Sequence, residues 1–269
     1  MGELTRTTRQ GVQSVVVGLR LAQQLALARS AMTLKALAAA AGMPAAKAHR
    51  YLVSLIRVGL VEQQPVTGRY DLGWLAIELG LSALGRLDLV ELATRALLEL
   101  REAVGETVLL GVWGNRGPTV IRWLEGPRPV TVNVQVGSVM PLLTSATGRA
   151  FLAWLPTTRT HKMVERELAD PGCPLKGLAP VEALVSEILA RGLSRVQGEM
   201  LSGVAAFGAP VFDHRGEMVA ALTALGADTS FDANWDGAVA VPLREAAARL
   251  SRRLGYRGNA ANADHDSAD

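Results

Sequence analysis

Three side chains close together, Lys47, His49 and Arg50, combine two fixed cations with a ring that donates and accepts. Small residues, Pro44, Ala45 and Ala46, precede them and leave room for a close approach. Cations hold phosphates, and Arg, Lys or His can reach base edges, so the chemistry of this run is that of duplex DNA recognition. A second run, Leu142-Leu143-Thr144-Ser145-Ala146-Thr147-Gly148-Arg149, places hydroxyls where a helix would begin. Unpaired amides at a helix start, with hydroxyls beside them, suit a carboxylate.

The chain shows no constellation for catalysis. HExxH, a Walker loop, GxSxG and paired CxxC are missing from the sequence. Cys173 lies in a proline-rich loop with no histidine near it in sequence, and His161 and His214 stand alone on an expected helix and an expected turn. Surface or structural roles suit these three better than catalysis, and neither a metal site nor a cofactor is expected.

The elements that must position the first run are readable. Leu34, Leu37, Ala38 and Ala41 recur at helical spacing, with Thr33 as N-cap and Gly42 as the left-handed stop. Pro44 opens a second helix at its first position. Ala45, Ala48, Leu52, Leu55 and Ile56 can face inward, and Lys47, His49, Arg50, Ser54 and Arg57 outward. Gly59 ends that helix. Residues 60–62 and 69–72 suit two short strands, with Pro65-Val66-Thr67-Gly68 as turn and Arg69 near the tip. The pattern is a winged helix-turn-helix, with the motif itself at about 34–53. An alanine-rich helical hairpin with a solvated cationic face is the alternative.

The helix pair, the stretch AGMPAAKAHRYLVSLIRVGLV and the wing ending RYDLG are similar to the isocitrate-lyase-regulator (IclR) family of bacterial transcription factors. GETVLLGV, VGSVMPLLTSATGRAFLAWL, GAPVFDHRGEMVAAL and AAARLSRRLG extend the resemblance over about Val12 to Gly255. The order and spacing of these pieces together carry it. The resemblance implies an N-terminal winged helix over residues 1–74 and a linker helix over 75–88, where dimer contacts form. It also implies a GAF-like effector-binding domain over 89–258. It places effector contacts at Leu143, Ser145, Ala146 and Thr147, at Val204, Ala206 and Phe207, and at Thr223 and Leu225. Trp113 and Trp123 would add an aromatic wall, and Arg149 either balances an acidic ligand or faces solvent. Two departures matter. Ala46 and Lys47 stand where family members usually carry Ser or Thr, so the operator read here should differ. Ala206 and Leu225 replace polar residues of some members, which favours an aromatic or longer acid as effector.

Composition sets outer bounds. A chain of 269 residues that is 49% hydrophobic and 20% charged can bury real cores. A single cysteine permits no internal disulfide and fits a reducing cytoplasm. No apolar segment resembles a secretory signal or a membrane span. Residues 1–84 hold nine Lys and Arg against four Asp and Glu, while the whole chain is only +3, so the basic excess lies with the helix-turn-helix.

Elsewhere, Val12, Val15, Val16, Leu19 and Ala22 mark a first helix running to about Arg29, and Leu89 to Val104 another. Thr107 to Val112 and Thr119 to Leu124 suit strands. The strict alternation of Val130, Val132, Val134 and Val136 suits a strand with one buried face. Helices are expected over Thr147–Leu155, Thr158–Leu168, Val181–Arg191 and Asp236–Leu254, and strands over Ser194–Gln197, Ala205–Phe212 and Met218–Leu225. Grouped strands and segregated helices argue for α+β with a mainly antiparallel sheet. Residues 1–10 suit a flexible arm and 259–269 a disordered tail. The expected partners are double-stranded operator DNA, a small-molecule effector and further copies of the chain as homodimer or homotetramer, with no membrane. The alternative is a small-molecule enzyme or ligand-binding adaptor built on the C-terminal domain.

Overall fold

Alternating helical and strand periodicities resolve into two compact units in the computed structural model, residues 1–87 and 88–269. The structure describes residues 11–28, 30–128, 130 and 132–258. The expected arm and tail, and Arg29 at the end of the first helix, lie outside them.

In the first unit α1 (Gln13–Leu27), α2 (Leu34–Ala40) and α3 (Ala45–Arg57) precede the hairpin of β1 (Val61–Gln63) and β2 (Tyr70–Leu72). Thr33 caps α2 by accepting the Ala36 amide at 3.3 Å, and Gly42 stops it at φ +65°. Pro44 sits one place before its expected position: it is the N-cap of α3, not its first helical residue. The core is Leu21, Leu25, Leu37, Ala38, Ala48, Leu52, Val61 and Tyr70. Ala45 and Ile56, expected inward, are exposed. The first helix is rotated from its expected face: Val17, Gly18, Leu21, Ala22 and Leu25 are buried, and Val12, Val15, Val16 and Leu19 are exposed. Gly18 explains the rotation, because a Cβ there would lie 3.3 Å from the Tyr51 ring; α1 meets α3 on its glycine. Beyond the wing α4 (Trp74–Leu84) follows, with Trp74, Ile77, Leu79 and Leu81 exposed.

The second unit opens with α5 (Leu89–Val104), capped by the Asp88 carboxylate on the Val90 and Glu91 amides. Then come β3 (Thr107–Gly114), β4 (Gly117–Leu124), α6 (Ala146–Trp154), α7 (Thr157–Leu168) and α8 (Leu178–Arg191). Finally β5 (Ser194–Gln197), β6 (Val204–Phe212), β7 (Met218–Ala227) and α9 (Ala240–Arg253) complete the chain. The five-stranded sheet runs β4-β3-β7-β6-β5 with every neighbour antiparallel, and the class is α+β. One face packs Val108, Leu110, Ala205, Phe207, Ala209 and Leu222 against α5 and α9. The other face packs under α6.

The alternating stretch 130–136 is not a strand. Its described residues pair with no strand; the nearest pairing is a bridge between Thr119 and Val139, after a turn at Gly137 with φ +95°. The alternation holds in part: Val132 and Val134 turn inward while Asn133 and Gln135 are exposed, but Val136, expected on the buried face, is exposed. A half-buried surface sets the period; a ladder is not required to produce it. The closing helix starts at Ala240, because Asp232 takes the Ala238 amide and holds the preceding residues in a loop.

Candidate functional site

Helix α3, the second of the helix-turn-helix, presents its polar side chains outward. Pro44, Ala45, Ala46, Lys47, His49 and Arg50 are all exposed. Among the described residues, the side chains of Lys47, His49 and Arg50 make no hydrogen bond or ion pair. Underneath, Ala48 and Leu52 are fully buried, so the helix is held by its inner face alone. Arg69 differs. It lies at the base of the wing turn, where its carbonyl accepts the Gln64 amide, and its guanidinium donates to the Ala31 carbonyl at 3.1 Å. Its side chain therefore ties the wing to the segment before α2 rather than reaching from a tip.

The second site is a cavity of about 150 Å³ between the sheet and the start of α6. Cross-strand rows make its floor: Leu109 pairs Thr223, and Leu225 pairs Ala206, which pairs Val196. Trp123, Val132, Val134 and Met140 close one side, and Met200, Leu201 and Val204 another. Polar groups are few. Thr147 Oγ1 and Thr223 Oγ1 share a hydrogen bond of 2.8 Å, and Ser145 Oγ accepts the Gly148 amide at 2.9 Å. Ala146 and Thr147 line the cavity as the first two residues of α6, whose amides have no acceptor within the helix.

Close packing puts that helix start in place. A Cβ at Gly208 would lie 2.6 Å from the Ala146 carbonyl oxygen, and one at Gly148 only 1.9 Å from the Pro141 oxygen. The loop before α6 is gripped as well, because the Glu167 carboxylate accepts the Leu142 and Leu143 amides at 2.8 and 2.9 Å. Arg149 neither faces solvent nor lines the cavity. It is 5% exposed, donates to the carbonyls of Leu143 and Arg195, and pairs with Glu199 at 3.0 Å. Burial pushes the Glu199 carboxyl up, but the Gln197 amide and the Arg149 guanidinium outweigh it and hold its pKa below the ordinary value.

Ser145, Ala146, Thr147, Val204, Ala206, Thr223, Leu225 and Trp123 thus come together around the cavity. Three expected residues do not. Phe207 follows Ala206 on β6 and must face the opposite side of the sheet, where it packs in the α5–α9 core. Leu143 turns into the core beneath α6. Trp113 lies in that same core, edge-on to Phe151 at 5.8 Å. The lining also takes in Leu109 and Val196 from strands, and residues 132–134, 140 and 200–201 from loops. Strand alternation and register would have found the first two, while Met140 and Met200 come from irregular loops. Cys173 is buried in the core beneath α6, and among the described residues no group of His, Cys, Asp and Glu could hold a metal. No helix there is long and apolar enough to cross a membrane.

A winged helix with an exposed cationic recognition helix, followed by a domain with an apolar cavity, defines a DNA-binding transcriptional regulator. Residues 14–65 match the IclR helix-turn-helix domain model, and residues 81–252 match the model of the bacterial transcriptional regulator IclR C-terminal domain. The glycerol operon regulatory protein of Streptomyces griseus is 31% identical over 91% of this chain and 98% of its own. The crystal structure of Pseudomonas aeruginosa HmgR superposes with a TM-score of 0.84 at 42% identity, covering 92% of this chain and all of that one. An IclR homolog from Microbacterium hydrocarbonoxydans, complexed with 4-hydroxybenzoate, shares the fold at TM-score 0.54 and 21% identity, covering 90% of this chain and 98% of that one. The chain belongs to the IclR family of bacterial transcriptional regulators.

Proposed function

We propose that this regulator is controlled by an aromatic or other organic acid bound in the cavity at the start of α6. The carrying observation is the cavity itself: its walls are almost wholly apolar, and three of its four polar lining residues, Ser145, Thr147 and Thr223, gather at the start of α6, with Asn133 apart from them. A volume of about 150 Å³ is the size of an apolar cavity that takes up benzene. A ring would lie against Leu109, Trp123 and Leu225, and a carboxylate would take the Ala146 and Thr147 amides. The 4-hydroxybenzoate of the Microbacterium homolog is a ligand of this chemical kind.

On the DNA side, residues 1–74 bind duplex operator through Pro44, Ala45, Ala46, Lys47, His49 and Arg50, with Arg69 bracing the wing. Residues 75–88 link them to the effector-binding part, 89–258. The protein acts in the cytoplasm as a homodimer or homotetramer, so that two half-sites are read together. It binds its effector without converting it. Control is a population shift: the effector favours one arrangement of the DNA-binding domains by its differential affinity.

Fluorescence anisotropy with duplexes tiled upstream of its own gene, at several salt concentrations, tests this reading. Salt-sensitive binding confined to one segment, released by benzoate or 4-hydroxybenzoate, is expected. Operator binding that neither aromatic nor aliphatic acids change would remove the effector assignment. Turnover of a bound acid would instead favour an enzyme, and lack of any duplex binding would favour an adaptor.

A further inference from the structure

A second concave site lies on the other side of residues 139–140: Val139 lines it, while the next residue, Met140, lines the apolar cavity. It is an open groove of about 550 Å³ between the tip of the β3–β4 hairpin and one face of α7. Arg159, Lys162 and Arg166 recur at i, i+3 and i+7 and so share that face, and Arg116 comes from the hairpin tip opposite. All four are exposed. Among the described residues none of them forms an ion pair; Arg159 instead lies over the Trp113 ring, 5.5 Å from its centroid. Of the two carboxylates on α7, Glu167 is occupied by the Leu142 and Leu143 amides, and the exposed Glu165 neither lines the groove nor forms an ion pair among the described residues. The groove is also firmly built. Gly117 has φ +116°, and a Cβ there would lie 2.6 Å from Met163 Sδ, so the hairpin tip sits directly on α7.

We propose that this groove binds a compact polyanion, the phosphate or polycarboxylate part of a small metabolite, as a second ligand site beside the effector cavity. Four cations facing one groove that no carboxylate lines repel one another, and a bound multivalent anion removes that repulsion. The walls favour a small ligand over DNA. The cations face one another across a concavity roughly as large as a metabolite, whereas a duplex backbone is met by charges spread along a stripe. The site is independent of the effector assignment, since it shares none of the cavity's lining residues.

Isothermal titration of the full chain with inorganic pyrophosphate and with citrate, against acetate at matched ionic strength, tests the site. Saturable binding of at least one polyanion, once per chain, is expected, with acetate inert. Pyrophosphate alone would point to a phosphorylated metabolite and citrate alone to a polycarboxylate. The variant combining Arg159→Gln, Lys162→Gln and Arg166→Gln should weaken binding at least about tenfold. Arg252→Gln, away from the groove, should leave it unchanged. If the triple variant melts early, Lys162→Gln alone is read, with Lys162→Arg restoring affinity. Absence of saturable binding, or full affinity in the variants, overturns the proposal. So does a triple variant that loses only non-specific duplex binding and salt dependence, which would make the face a DNA contact.

Discussion

The helices α3 and α6 both begin with small residues and carry an arginine within their first six positions, yet they work in opposite ways. Arg50 on α3 is exposed with no partner among the described residues, and only Ala48 and Leu52 anchor its helix fully. Every residue of α6 from Ala146 to Leu152 is buried, and Arg149 gives its protons to the carbonyls of Leu143 and Arg195 and to Glu199. A helix that meets a polyanion from solvent keeps its donors free. A helix that aims its N-terminus into a cavity must be fixed from all sides, so its polar groups are spent within the fold.

This contrast makes Gly148→Ala the most damaging small change. Its methyl would overlap the Pro141 oxygen and the Leu142 backbone, which cannot move without lifting α6 from the sheet. A loss of at least about 3 kcal/mol in urea unfolding is expected, with the second unit lost first. Near wild-type stability would show that α6 is not locked as described. Arg50→Ala should do the reverse. Operator binding weakens by about 1–3 kcal/mol in anisotropy titrations while the melting temperature stays put. A large drop in melting temperature would mean that Arg50 is a structural arginine after all.

The same contrast explains what could be read from the amino-acid sequence. In the helix-turn-helix, Thr33, Gly42 and Gly59 act through bonds to near neighbours in sequence, and exposure follows from helical spacing. The sheet and helices of the second unit were legible for a like reason, apart from residues 130–136, whose alternation reflects burial without a partner strand. Faces were harder where a distant residue decides them. Tyr51 chooses the glycine face of α1, and a carbonyl from β5 together with Glu199 draws Arg149 inward. Periodicity carries no trace of either. Phe207 is the exception, because strand alternation alone puts it on the face opposite Val204 and Ala206.

Thr223→Val probes the polar end of the cavity more gently. It keeps the shape but strands the Thr147 hydroxyl, whose partner is lost in a buried setting. About 1–2 kcal/mol of stability should go, read by thermal or urea melts. An aromatic acid that accepts from the Thr147–Thr223 pair should also bind more weakly, whereas its affinity for the wild type and the variant would match if the hydroxyls only serve packing.

The smallest effects expected are pH-dependent, and they set a matched network against an unmatched one. Glu199 belongs to the network that fixes α6, and its folded pKa is lowered. Its contribution is present above the ordinary carboxylate pKa and lost as pH falls through the lowered one. Glu106 is the counterexample. Its side chain is buried at the start of β3, Oε1 pairs with Arg128 at 2.7 Å, and Oε2 has no partner among the described residues. Burial raises its pKa, and Arg128, itself more than half exposed, offsets this only in part. Its stabilising contribution is therefore present at acid pH and lost as pH rises through the raised pKa. Glu106→Gln removes that titration, so the melting temperature of the variant relative to wild type should be higher near neutrality than in acid. For Glu199→Gln the relative melting temperature should fall as pH rises from acid to neutral. Parallel pH profiles for the two variants would show that the two carboxylates are solvated alike, and that the free Oε2 of Glu106 carries no cost.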